Sequence, residues 1–292
     1  MDDQLIEIKQ DIPGFDNFIG SWLCRDDSTV LVDVGPAGTA GRLIRSLEAL
    51  GLERIDFILL THVHIDHAGG LKSLLDRYPM ARVICHGEAV KFLIEPSKLW
   101  KGSKSALGEI AIAYGEPKGV PKEKLIPHTQ NPLKDLVVLE TPGHAAHHLS
   151  FSYGNRLFIG EAGGNYSAEK GAEYLRPATP PRFFFDIYLK SIDRLLDLDD
   201  QPIRFGHFGK AEASHPLLKL HRDQILLWRD LVRGEVMKGD EDLINRCLDV
   251  LLKQDPNLAG LHGMDPDAQD RERFFLVNSI KGFIGFIKDA AL

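Results

Sequence analysis

One phrase constrains this chain more than any other: Thr61-His62-Val63-His64-Ile65-Asp66-His67, which follows directly on the apolar run at residues 55–60. A short apolar run of this kind reads as a buried strand. Polar side chains placed against such a strand are costly unless they have partners. Here four side chains that can ligate a metal fall within six residues: His62, His64, Asp66 and His67. Imidazole nitrogen and carboxylate oxygen suit zinc and similar divalent ions. On a regular strand His62, His64 and Asp66 would share one face, leaving only His67 on the other. A loop leaving the strand can instead fan these groups toward two neighbouring points. The fold therefore has to deliver a strand into a ligand-bearing loop.

The flanking pattern alternates strands and helices. Residues 1–35 read as short strands, the β-branched stretch 28–35 ending at a turn. Leu43, Ile44, Leu47 and Leu50 recur at helical spacing before Gly51. Residues 71–78 read as a helix, and 81–85, 136–140, 149–153 and 155–159 as strands. The Gly-, Lys-, Ser- and Pro-rich segment 96–119 reads as an inserted surface loop. The proline-rich segment 174–185 cannot be a regular helix. Its Phe183, Phe184 and Phe185 either wall an apolar pocket or cap the core. Beyond residue 213 the pattern is helical, with three apolar stripes: Leu217, Leu220, Leu227 and Leu231; then Leu243, Cys247, Val250 and Leu251; then Phe274, Val277, Ile280, Ile284 and Ile287. The division expected is an α/β domain over 1–212 and a helical extension over 213–292.

Composition narrows the partners. The formal charge is −7, and no Lys/Arg cluster marks a duplex-binding face, which disfavours nucleic acid as a ligand. Cys24, Cys85 and Cys247 are odd in number and form no CxxC pair, so small buried hydrophobes are expected rather than disulfides. No apolar run is long enough to span a bilayer, and the acidic start lacks a signal-peptide pattern. The expected location is the cytoplasm.

His62-x-His64-x-Asp66-His67 resembles the signature of the metallo-β-lactamase superfamily. Other motifs follow in that family's order: Leu31-Val32-Asp33-Val34-Gly35, Thr141-Pro142-Gly143-His144, Gly160-Glu161 and Phe205-Gly206-His207-Phe208-Gly209. The resemblance covers residues of about 15–210 and implies a four-layer αββα metallo-β-lactamase fold, here with a C-terminal helical extension. It implies two divalent metal ions, zinc first, with iron or manganese as alternatives. His62, His64 and His144 would hold one ion, and Asp66, His67 and His207 the other, with Asp33 nearby. Glu161 stands where the family has aspartate. Its extra methylene adds roughly 1.5 Å of reach, so it can bridge the ions, bind one, or act from outside their coordination. One of His147 and His148 is expected to face the site, and His86, at a strand end, to lie near the pocket rim; His128, His215, His221 and His262 lack ligand spacing.

The chemistry implied is hydrolysis of a small-molecule ester, thioester or lactone by metal-activated water. Asp66 would orient the nucleophile and move its proton, and Tyr166 would hydrogen-bond substrate. No Gly-x-Ser-x-Gly elbow competes. The rival readings are a non-hydrolytic metal-binding or redox member of the same fold, and a nucleic-acid processing enzyme. The helical extension could supply a homodimer interface, since amphipathic helices must bury their apolar faces.

Overall fold

A computed structural model of the chain describes residues 2–168 and 173–289. Thirteen strands are described: β1 (Asp2–Glu7), β2 (Gly20–Arg25), β3 (Thr29–Val32), β4 (Phe57–Leu59), β5 (Arg82–Cys85), β6 (Leu125–Pro127), β7 (Val137–Glu140), β8 (Leu149–Tyr153), β9 (Arg156–Gly160), β10 (Asn165–Ser167), β11 (Tyr174–Arg176), β12 (Ile203–Phe205) and β13 (Lys210–Ala211). The helices are α1 (Ala40–Ala49), α2 (Ile65–Ala68), α3 (Leu71–Arg77), α4 (Val90–Ile94), α5 (Ser97–Leu107), α6 (Glu109–Tyr114), α7 (Phe185–Leu196), α8 (Ser214–Val236), α9 (Leu243–Gln254) and α10 (Pro266–Asp289). One sheet is ordered β1-β2-β3-β4-β5-β6 and a second β13-β12-β9-β8-β7, with β10 and β11 forming a separate ribbon. This is the mixed α/β class expected, with helices at the C-terminal end.

The chain divides into two compact units. The first comprises residues 1–138, 149–154 and 206–208. Its six-stranded sheet is antiparallel from β1 to β3 and parallel from β3 to β6. Parallel neighbours need a crossover, and α1 supplies it between β3 and β4 while α2 and α3 supply it between β4 and β5. Val30, Leu31, Ile58, Leu59, Val83 and Ile84 are all fully buried, as expected of strands covered on both faces. Segment 96–119 departs from the expected loop: it contains α5 and α6. The glycines that suggested a loop, Gly108 and Gly115, have positive φ and end these two helices.

The second unit comprises residues 139–148, 155–205 and 209–292. In it β12 pairs parallel with β9 and antiparallel with β13. Phe183 and Phe185 are buried in a hydrophobic cluster with Trp228 and Phe283, so two of the three phenylalanines cap the core; Phe184 is 49% exposed. The stripe expected on α8 is corrected. Leu220 is 39% exposed, and the buried face instead runs through Leu217, Leu218, His221, Gln224, Ile225 and Trp228. On α10 Phe274 is likewise turned out, and Leu276, Ile280, Phe283 and Ile287 are buried. Within the same unit, buried Arg176 on β11 pairs with buried Glu272 on α10. The three cysteines are buried and free. No helix among the described residues is long and apolar enough to cross a membrane.

Candidate metal centre

In the first unit the ligand phrase leaves β4 as a loop carrying His62 and His64, then forms the single-turn α2 carrying Asp66 and His67. Two glycines let this turn lie against the loop after β3. A Cβ on Gly69 would sit 2.9 Å from the Ala37 nitrogen, and one on Gly70 2.8 Å from the Val34 oxygen. The Val34 N–H donates to the His67 carbonyl at 2.7 Å, locking loop and helix together.

Asp33 organises this half. It is buried and takes the left-handed region at φ +57°, which costs a non-glycine residue on the order of 1–3 kcal/mol and persists only where surroundings enforce it. Its carboxylate accepts the Thr61 N–H at 2.9 Å, the Thr61 hydroxyl at 2.8 Å and the His67 Nδ1–H at 2.9 Å. With its proton given to Asp33, the Thr61 oxygen accepts from His62 Nδ1 at 3.0 Å. One carboxylate therefore sets both rings with the proton on Nδ1 and the lone pair on Nε2.

His207 obeys the same rule. Its Nδ1–H donates to the Phe18 carbonyl at 3.1 Å, and its ring stacks on Phe18. Asp66, His67 and His207 form a compact group, with Asp66 Oδ2 3.7 Å from each of the two Nε2 atoms. Beside it His62 Nε2 lies 3.0 Å from His64 Nδ1.

In the second unit His144 follows Gly143, and Glu161 follows β9. Gly143 has φ +144°, and a Cβ there would lie 2.9 Å from the Tyr188 Cα. Helix α7 grips this segment at helical spacing: Tyr188 backs Gly143, the Ser191 hydroxyl donates to the Pro142 carbonyl at 2.6 Å, and Arg194 donates to the Glu140 carbonyl at 2.6 Å. His144 Nδ1–H donates to the Ala178 carbonyl at 2.7 Å, which turns the Nε2 lone pair toward Glu161 Oε2, 2.9 Å away. His148 has a structural position: its Nε2 accepts the Glu161 N–H at 3.1 Å, and its Nδ1–H donates to the Thr141 hydroxyl at 2.9 Å. Tyr166 lies on β10, and its hydroxyl donates to Glu173 at 2.8 Å. Burial, then the Glu173 carboxylate, push its pKa up to about 12.

These donor sets fit divalent cations. In each, nitrogen lone pairs face one another or a carboxylate oxygen, an arrangement that repels itself unless a proton or cation lies between. Ligand bonds of about 2.0–2.2 Å at ordinary angles put two donors on one ion roughly 3–3.7 Å apart. The separations here, 2.9 to 3.7 Å, match. The carbonyl, hydroxyl and carboxylate behind each ring are the partners that metal-ligating histidines ordinarily have.

Residues 19–207 match the family model of the metallo-beta-lactamase superfamily. The chain belongs to that superfamily. A metallo-beta-lactamase fold-containing protein of Sulfurisphaera tokodaii is 31% identical over 74% of this chain and 84% of its own length. A crystal structure of an archaeal superfamily member from Sulfolobus tokodaii superposes with a TM-score of 0.72 at 24% identity, covering 96% of this chain and 97% of its own. A hydroxyacylglutathione hydrolase of Vibrio vulnificus is 31% identical over 66% of this chain and 62% of its own length.

Asp33 and the seven motif histidines and carboxylates are all readable as candidates in the sequence. Thr61 and Tyr188, which hold ligands from behind, are not. A hydroxyl beside a histidine, or a tyrosine inside a helix, carries no spacing signal.

Proposed function

We propose that this superfamily member is a binuclear metal-dependent hydrolase acting on a small-molecule ester, thioester or lactone. His62, His64 and His144 would hold one ion and Asp66, His67 and His207 the second, with Glu161 between them. The observation that carries the reading is the group Asp66, His67 and His207, in which Asp33 and the Phe18 carbonyl fix both imidazoles with Nε2 toward the carboxylate. Zinc is the ion proposed, with iron and manganese as the alternatives.

A divalent ion bound there supplies Lewis acidity and makes water acidic enough to ionise near neutral pH. The chain's own groups do the rest. Asp66 keeps part of its carboxylate exposed, with a side-chain accessibility of 16%, so it can both orient water and take its proton. Its histidine neighbours turn Nε2 toward it because their Nδ1 atoms are held by Asp33 and the Phe18 carbonyl. Tyr166 is proposed to hydrogen-bond the substrate, exchanging Glu173 for the substrate oxygen.

A thioester is favoured within the substrate class by the likeness to proteins named hydroxyacylglutathione hydrolases. The test pairs metal analysis of the purified chain with hydrolysis assays on acyl-glutathione, acyl-CoA and lactone panels. Close to two ions per chain and chelator-sensitive turnover of one panel are expected. A metal-loaded chain inert to all three would overturn the reading.

A further inference from the structure

The buried face of α8 is unusual in carrying His221 and Gln224, and both belong to one chain of hydrogen bonds that ends at a proposed metal ligand. It starts at Asp255, buried where α9 ends. The Asp255 carboxylate accepts from Trp228 Nε1 at 2.6 Å and from Gln224 Nε2 at 2.7 Å; the same Gln224 amide also donates to the Leu175 carbonyl at 2.6 Å. Both amide protons are thus spent, so the Gln224 orientation is fixed and its oxygen can only accept. It accepts from His221 Nδ1 at 3.2 Å. His221 is fully buried, and burial lowers its pKa to about 4, so the ring is neutral and its Nε2 carries a lone pair.

That lone pair faces the Tyr188 hydroxyl at 2.9 Å, and the same hydroxyl lies 3.1 Å from the Glu161 carbonyl oxygen. Tyr188 has one proton for two acceptors. Its ring meanwhile backs Gly143, next to His144. A single side chain therefore touches both the turn carrying His144 and the turn carrying Glu161. Space is tight on the α8 side as well: a Cβ on Gly164 would lie 2.7 Å from His221 Cε1, and Gly164 has φ +77°. The Glu161 turn is pressed against α8 with no room for slack.

We infer that Tyr188, His221 and Gln224 are positioning residues that set where Glu161 sits relative to His144, which makes the C-terminal helices a working part of the metal centre. This deepens the metal-site reading above and rests on it. A glutamate in the bridging position has one more rotatable bond than an aspartate. Its backbone needs firmer support, and this relay holds the Glu161 carbonyl while His148 holds its N–H.

The test is cobalt(II) titration of the metal-free full chain, read by the d–d absorption bands and by competition with a chromophoric chelator. Tyr188→Phe removes only the hydroxyl. Gln224→Leu lies three hydrogen bonds from Glu161 and frees the His221 tautomer. Ile225→Val trims an equally buried α8 side chain outside the relay. Tyr188→Phe should weaken one of the two ions about ten-fold or more and shift its absorption bands, as loss of a supporting partner does. Gln224→Leu should weaken the same ion less, while Ile225→Val lowers the melting temperature and leaves both affinities alone. The inference fails if Tyr188→Phe and Gln224→Leu bind both ions as wild type does, or if Ile225→Val weakens the ions equally. The comparison needs no substrate: a cobalt-binding chain that hydrolyses nothing would count against the hydrolase reading alone.

Discussion

His67 Nδ1 and Asp33 Oδ2 meet at 2.9 Å across 34 residues of sequence, and the same oxygen takes the Thr61 hydroxyl. Asp33 thus orients His67 directly and His62 through Thr61. Asn at position 33 keeps the shape but replaces one acceptor oxygen with an NH2 donor. Asp33→Asn should lower metal affinity roughly 10–100-fold, measured by chelator competition. Unchanged affinity would show that the tautomers are set elsewhere.

Asp66 is the one partly exposed carboxylate in its group. Asp66→Asn should reduce kcat on any substrate the wild type turns over by about 10²–10⁴-fold. Steady-state kinetics with parallel metal analysis checks this; full activity would remove Asp66 from the proton pathway.

Bound metal should stabilise the fold by mass action. Zinc at a hundred times its Kd adds about 2.7 kcal/mol per site. Thermal denaturation with and without a chelator measures the difference, and coincident melting curves would contradict metal binding to the native state.

His221 predicts a pH dependence. Its ordinary pKa of 6.5 falls to about 4 on burial. A depressed folded value means that this contribution is complete above pH 6.5 and drains away as pH falls toward 4. Denaturant titrations across that range should show stability dropping in the wild type, and a shallower slope in His221→Gln. Parallel slopes would mean that the ring titrates normally in the fold.

Glu272 predicts a second effect. Burial opposes its ionisation, but Arg176 and Arg271 outweigh burial and hold its pKa below the usual carboxylate value. Glu272→Gln leaves the Arg176 guanidinium buried without its anion, which should cost about 3–5 kcal/mol. Urea unfolding at neutral pH measures it; a loss under 1 kcal/mol would show that water reaches the guanidinium.

What the sequence made legible is the part dictated by local chemistry. Four ligands packed into residues 62–67 exceed what packing alone would tolerate, and the apolar runs at β3, β4 and β5 have the continuity of covered parallel strands. What it concealed depends on partners distant in sequence. Leucine spacing does not mark the α8 face, because His221 and Gln224 are buried through hydrogen bonds to Tyr188, Leu175 and Asp255. Segment 96–119 reads as a loop in sequence because the glycines that end α5 and α6 resemble loop punctuation. Tyr188 carries no local signal, because the groups it touches, Gly143 and the Glu161 carbonyl, are distant in sequence.

The pairing of Arg176 with Glu272 also has a timetable. The two residues are 96 positions apart. At ordinary elongation rates a ribosome takes roughly 5–20 s to make that much chain. Throughout that interval the guanidinium lacks the Glu272 carboxylate, its salt-bridge partner in the interior around β11. The interior of the second unit around β11 is therefore completed late in synthesis, after α10 has emerged.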